Sequence, residues 1–298
     1  MGGGKPVDYG TVKDLALTAE ALGFHSIFAN DHLIRGEKGY ILEGWTVLSA
    51  LASVTSRVRL GNLVLCNSFR YPQLLAKMTS TLDVISGGRF ELGIGGGWLT
   101  DEFTRYGIPF PKPSVRLSQL AEALDLVKKL WTQDRVNFTG DYYTCRDAPC
   151  EPKPLQKPHP PIMIGGGGEK LTLKVVAQHG DICNFGGSLK EYSRRLDKLM
   201  QHCETVGRDS DEIEKSWTGD FVIAMDKDYL TRKIGQVKPE ALPLKDFVDS
   251  NIVGTPDECL RKVQQYLDLG VDYFTISGFS KLTKRDLELI AEKIMPSL

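Results

Sequence analysis

A chain of 298 residues, 41% hydrophobic and 25% charged, has the make-up of a globular protein and the length of one α/β barrel. Its 37 basic and 38 acidic side chains leave a formal net charge of −1, which excludes the field of a nucleic-acid or membrane-surface binder. No apolar run approaches the ~18 residues of a membrane span and no charged-then-apolar leader opens the chain, so a cytoplasmic protein is expected. The cysteines (Cys66, Cys145, Cys150, Cys183, Cys203, Cys259) form no CxxC and meet no histidine cluster, so reduced thiols and no metal site are expected.

Residues 1–8, MGGGKPVD, are too glycine-rich for a buried strand. From Tyr9 to Leu22, Val12, Leu15, Ala16, Ala19 and Leu22 recur at helical spacing and stop at Gly23, which predicts a helix with a glycine cap. A short apolar strand, HSIFA, then ends in Asn30-Asp31-His32. A helix is expected around Gly44–Ala52, a strand over Arg59–Cys66 and a helix over Pro72–Ile85. Phe90–Ile94 reads as a buried strand that stops at Gly95, Gly96 and Gly97 and delivers Trp98. Where no Cβ intervenes, backbone N–H groups can approach a ligand closely. After Trp98 the pattern loosens. A proline-rich loop from Tyr106 leads to a helix over Val115–Trp131, and residues 135–161 read as a hairpin excursion with its turn at Gly140-Asp141.

Pro161–Ile164 is a buried strand that runs into four glycines, Gly165 to Gly168, with a helix expected from Glu169. Further strands are expected at Asp181–Phe185, Thr218–Ala224 and Tyr273–Ile276, and helices at Lys190–Val206, Pro256–Leu269 and Thr283–Ile294. Asp226–Ser250 has no clear period and reads as a loop with short helices. AEALGFHSIFA near the start and YLDLGVDYFTI near the end share one helix–glycine–strand pattern. Alternating strands and helices with no linker predict a single domain over residues 1–298. A TIM-type (β/α)8 barrel fits best, because glycine endings recur on separated strands. The strand count falls short by the strand expected before the first helix, and residues 106–161 form an insertion.

GIGGGW from Gly93 fails the dinucleotide fingerprint at Trp98, and GGGGEK from Gly165 fails it at Lys170 and lacks P-loop spacing. Four glycines between a strand and a helix start nonetheless suit a phosphate, since a plain turn rarely needs four.

DVISGGRFELGIGGGW, then Glu102 and YGIPFP, then PCEPKPLQKPHPPIMIGGGGEK, closely resemble the luciferase-like proteins, and within them the coenzyme F420-dependent oxidoreductases. The similarity is specific from about Val12 to Phe185 and diffuse beyond. The resemblance implies a TIM barrel with a deazaflavin, or alternatively FMN, across its C-terminal mouth, a small-molecule substrate and a homodimer packed through early helices. It implies a catalytic role beside the ring for His32. Leu63, Val64, Leu65 and Cys66 match a bulged strand, often with a non-prolyl cis peptide, that backs the ring. Gly96, Gly97 and Trp98 match the residues lining the ring or ribityl chain, and Gly166 and Gly167, within the run Gly165 to Gly168 that reads as a cofactor-binding phosphate cradle, match the phosphate loop. Asn184 falls where substrate contacts are common.

Each residue also has a plainer reading. His32 is a hydrogen-bonded loop residue or a proton donor poised near neutral pH, and its strand-end position favours the second. Trp98 caps the mouth or touches the cofactor. Glu102 reads as a structural partner and Arg89 as structural, away from the mouth. Lys112, Lys153, Lys157 and Lys170 are candidates for an acidic cofactor tail or are solvated lysines. The function expected is F420-dependent hydride transfer with an unidentified small organic substrate. The alternatives are an FMN-dependent monooxygenase and a truncated, non-catalytic flavin- or deazaflavin-binding barrel.

Overall fold

The computed structural model describes residues 8–35, 39–277 and 282–298. In chain order the elements are α1 (Tyr9–Ala21), β1 (Ser26–Ala29), α2 (Gly44–Val54), β2 (Arg59–Asn62), β3 (Leu65–Cys66), α3 (Pro72–Ser86), β4 (Phe90–Gly95), α4 (Thr100–Arg105), α5 (Pro113–Thr132), β5 (Val136–Thr139), β6 (Thr144–Ala148), β7 (Ile162–Gly165), α6 (Thr172–His179), β8 (Ile182–Phe185), α7 (Leu189–Val206), β9 (Glu214–Gly219), β10 (Phe221–Ile223), α8 (Lys227–Val237), α9 (Leu244–Ser250), β11 (Ile252–Gly254), α10 (Pro256–Leu267), β12 (Tyr273–Ile276) and α11 (Lys284–Lys293).

One parallel sheet runs β1-β2-β4-β7-β8-β9-β12, with β3 beside β4, and the helices pack around it as in an α/β TIM barrel. The core lies on both sides of the strands. Phe90, Leu92 and Ile94 of β4 and Ile162 and Ile164 of β7 are completely buried, and Trp131 of α5 and Trp217 of β9 add the largest side chains. Among the described residues, no backbone ladder joins β12 to β1. Side chains bridge that seam instead. The Tyr273 hydroxyl bonds to Ser26 Oγ, and its ring meets His25 and Phe28 at centroid distances of 5.5 and 6.3 Å. The strand expected ahead of α1 falls on residues 1–7, outside the described residues.

Local chemistry sets the boundaries. Asp8 caps α1 by accepting Thr11 N–H at 2.8 Å, and Ser188 with Glu191 forms a capping box at the start of α7. Gly87 (φ 68°) and Gly207 (φ 72°) close α3 and α7 in the left-handed region. Arg89 is structural, as expected. Its guanidinium gathers the carbonyls of Ala52, Thr55 and Val58, at and just beyond the end of α2.

The run expected as one strand over Thr218–Ala224 is two. β9 stays in the barrel, whereas β10 leaves it at Asp220 and pairs with β11 in a side sheet. α8 and α9 fill the stretch without a clear period, and Phe247, Val222 and Leu230 form a small core of their own beneath it. Within 106–161, α5 packs against α3 and α6 as a helix of the ring, and the excursion proper is the β5–β6 hairpin with its proline-rich return.

Candidate active site

The backbone around Leu63–Val64 shapes the site. β2 pairs with β4 as Leu60↔Phe90 and Gly61↔Glu91, but β3 pairs as Leu65↔Ile94 and Cys66↔Gly95. The lower stretch therefore carries one more residue than the strand facing it, which is a bulge. The Leu63–Val64 peptide bond there is cis. The Val64 side chain fills the space left by missing Cβ atoms, since a Cβ on Gly165 or Gly95 would stand 2.7 or 3.0 Å from its methyls. Strands β4 and β7 thus end in glycine because this valine occupies the place of their side chains.

Above the bulge opens a cleft of about 1000 Å³. Leu63, Val64, Trp98, Gly165, Gly166, Gly167 and Asn184 all line it, so the first glycine run's aromatic and the second glycine run share one cavity. Leu65, Cys66, Gly96, Gly97 and Gly168 do not line it: Leu65 and Cys66 are buried, Gly96 and Gly97 half-buried, and Gly168 is exposed. A Cβ on Gly97 would stand 2.7 Å from Cys66 Sγ, and burial pushes the Cys66 thiol up to about 11, so it is a packed, protonated thiol. α6 begins at Thr172 rather than Glu169, leaving Gly165–Gly168 as an open loop between β7 and its helix.

His32 does not line the cleft itself and meets it only through Trp98. The two rings meet edge to face at 5.9 Å, and Arg35 lies over the indole at 5.7 Å. His32 Nδ1 is 3.0 Å from Glu102 Oε1, and that carboxylate also accepts the N–H groups of Leu33 and Ile34 at 2.8 and 3.2 Å. The neighbouring Asp31 points the other way. It takes a two-pronged bond from Arg70, 2.8 Å on each arm, and the Cys66 N–H at 2.8 Å, tying the end of β1 to β3. Asn184 is 3% exposed and donates to Ser216 Oγ at 2.7 Å and Thr275 Oγ1 at 3.2 Å, a neutral polar cluster across β8, β9 and β12.

Two groups escaped the sequence reading, one in the cleft and one buried outside its lining. Arg195, from the middle of α7, lies against the glycines that follow β7 and β8. At the opposite end of the strands, Glu91 is 2% exposed, pairs with Arg59 and accepts the Tyr273 hydroxyl at 3.1 Å. Arginine on an amphipathic helix reads as solvent-facing, and no local signal distinguishes one that turns inward. Lys112, Lys153, Lys157 and Lys170 do not line the cleft. Lys153 bonds the Leu130 and Gln133 carbonyls at 3.1 and 2.5 Å.

Known proteins resemble the chain over nearly its whole length. A protein named F420-dependent glucose-6-phosphate dehydrogenase from Nakamurella multipartita is 31% identical over 318 residues, covering 96% of this chain and 91% of that protein. One of the same name from Microbacterium testaceum is 30% identical over 312 residues, covering 96% and 92%. The solved structure of the coenzyme F420-dependent tetrahydromethanopterin reductase of Methanopyrus kandleri superposes with a TM-score of 0.82 at 21% identity, covering 98% of this chain and 96% of that one, and so shares the fold. The model of the luciferase-like monooxygenase family matches residues 1–238, and the chain belongs to that family.

Proposed function

We propose that this chain is a coenzyme F420-dependent oxidoreductase that moves a hydride between the deazaflavin and a small organic substrate. The observation that carries the reading is the shared cleft. A bulged wall at Leu63–Val64 and a glycine loop at Gly165–Gly167 face one cavity of about 1000 Å³, roomy enough for a tricyclic ring and its phosphorylated arm. The relatives at 30 and 31% identity carry F420 in their names, so the FMN monooxygenase and the non-catalytic barrel are not favoured.

The residues fit the group. Leu63 and Val64 offer an apolar backing, and Gly167 and Gly168 would let backbone N–H groups approach a phosphate with no Cβ between, while the Gly166 N–H is held by the Asn184 carbonyl at 2.9 Å. When bound, a deazaflavin supplies the ring carbon that gives or takes the hydride. The protein supplies orientation, a sheltered mouth and a proton site. Glu102 on Nδ1 of His32 favours the tautomer with the proton there, which leaves Nε2 to hold or release a proton beside Trp98. General acid–base help of this kind is worth roughly 10²–10⁴-fold. Asn184, with Ser216 and Thr275 behind it, would meet the substrate with neutral hydrogen-bonding groups.

Exposed apolar side chains on and beside α3, namely Tyr71, Leu74 and Ile85, support a homodimer through that helix. The unpaired cysteines fit a reducing cytoplasm. The experiment is a titration of the purified protein with F420 and with FMN, followed by absorbance and fluorescence. Tighter F420 binding is expected. Tighter FMN binding, or binding of neither, overturns the reading.

A further inference from the structure

We infer that Arg195 is the anion anchor of the cleft, the side chain that grips the cofactor's phosphate beside the glycine loop. The inference rests on the proposed function for the identity of the cofactor, but not for its own geometry. Arg195 stands one turn after Glu191 on α7 and reaches back between two loops. A Cβ on Gly167, after β7, would stand 2.7 Å from its Nε, and one on Gly187, after β8, would stand 2.7 Å from its Nη1. Side chains at either glycine would have to displace the guanidinium, so the two glycines leave room for a cation at this end of the cavity, and Gly187 (φ 107°) is also in a conformation that favours glycine.

Its hydrogen bonding is incomplete in a telling way. Nη1 donates to the Gly186 carbonyl, while Nε is buried with no acceptor. A guanidinium carries five donors and cannot shed its charge, so a buried arm with no acceptor is costly unless a ligand provides one. No carboxylate of the described residues lies within ion-pair distance of it, though, after the bonds from Ser188, its charge helps to hold the nearby Glu191 carboxyl below its ordinary value. Glu191 is occupied at its own helix start, where Oε2 accepts the Ser188 N–H and hydroxyl, each at 2.9 Å. The adjacent Arg194 pairs with Glu169 at 2.8 Å, outside the cleft. Among the cleft's described lining residues, Arg195 is the one lysine or arginine, whereas Glu191, Glu214 and Asp272 are acidic. An anion at the glycine end of the cavity meets a guanidinium whose fork suits two phosphate oxygens.

The plainer role is a strut, with Arg195 present only to hold the Gly186 carbonyl. The two roles separate when ligands are compared in pairs that differ by the phosphate alone. Wild type, Arg195→Gln and Arg195→Lys are titrated with F420 and its dephosphorylated deazaflavin, and with FMN and riboflavin, by fluorescence at low and moderate salt. Arg195→Gln is expected to weaken the phosphorylated member of the bound pair roughly 10- to 100-fold and leave the other within about twofold, with Arg195→Lys between. The salt dependence of the phosphorylated ligand should flatten in Arg195→Gln. Equal weakening of both members of a pair assigns Arg195 to the strut and overturns the anchor, as does no weakening of either. Preference for the FMN pair would sink the F420 reading while the phosphate comparison still decides Arg195. Binding of none of the four ligands by wild type would overturn both.

Discussion

Nδ1 of His32 and Oε1 of Glu102 lie 3.0 Å apart, and the same carboxylate closes the backbone N–H groups of Leu33 and Ile34. Glu102 is 2% exposed, so it both holds the loop after β1 and fixes the ring beside Trp98. Glu102→Ala leaves buried donors unpaired and should cost about 2–4 kcal/mol, read as a fall in Tm. Glu102→Gln keeps the volume and an acceptor but loses the charge that selects the tautomer. It should lower turnover roughly 10- to 100-fold with little change in cofactor affinity. If His32 acts through this pair, His32→Ala loses far more turnover than binding, and adding Glu102→Gln to it lowers turnover little further. Fully additive losses would separate the two residues.

Asp31 and Arg70 make a second fixed pair below it. Burial works against the Arg70 charge, but the bonds to Asp31 and Glu43 outweigh it and raise its pKa above the ordinary value. The pair also receives the Cys66 N–H, so it fastens β3 to the end of β1. Arg70→Ala strands the Asp31 carboxylate in a site 6% exposed, and a loss of about 3–5 kcal/mol is expected. Asp31→Ala together with Arg70→Ala should be less damaging than the sum of the single changes, measured by denaturant unfolding.

How much of this was legible depends on whether the signal is local. Strand–glycine–helix punctuation is local, so β4 and β7 end at the glycines that the sequence marks. The bulge at Leu63–Val64 came from family resemblance, because nothing in LVLC by itself marks a register shift. The departure of β10 from the barrel was hidden. Thr218–Ala224 is a continuous run of strand-like residues, and only β11, more than two dozen residues on, draws its second half aside. Glu102 reads as a structural partner and is one, holding the Leu33 and Ile34 N–H groups, whereas Arg195 sits on a helix at a position that propensity treats as surface. Their inward roles follow from the loops that β1, β7 and β8 place next to them.

Glu214 gives a pH prediction with a definite sign. Burial first, then the charges of Asp272 and Glu91, raise its carboxyl from the ordinary 4.5 to about 7, with Arg59 opposing. A raised carboxyl favours the folded protein while protonated. Its contribution is complete below about 4.5 and is lost as the pH rises through about 7. Glu214→Gln should therefore match wild type near pH 4 and exceed it in Tm at pH 8. The gain is small because the residue keeps an exposed face where solvent screens the charge. A Glu214→Gln protein less stable than wild type at pH 8 would contradict the assignment.

Gly165 and Gly93 separate the needs of the cofactor from those of the fold. A Cβ on Gly93 would lie 1.8 Å from the Asn62 carbonyl oxygen, fixed backbone within the sheet, so Gly93→Ala should give little soluble protein. A Cβ on Gly165 would meet only the Val64 methyls, at 2.7 and 3.1 Å. A side chain can yield where a strand cannot, and Gly165→Ala should fold with a stability loss of about 1–3 kcal/mol. Its displaced Val64 would move into the face that backs the cofactor ring, and affinity should fall roughly tenfold or more. Val64→Ala alone should weaken binding by removing that backing, yet improve it in the Gly165→Ala background by restoring the space. Such a reversal of sign between two backgrounds is what direct contact predicts. Titration of the four proteins with the cofactor measures it, and simple addition of the two losses would mean that Val64 does not shape the wall.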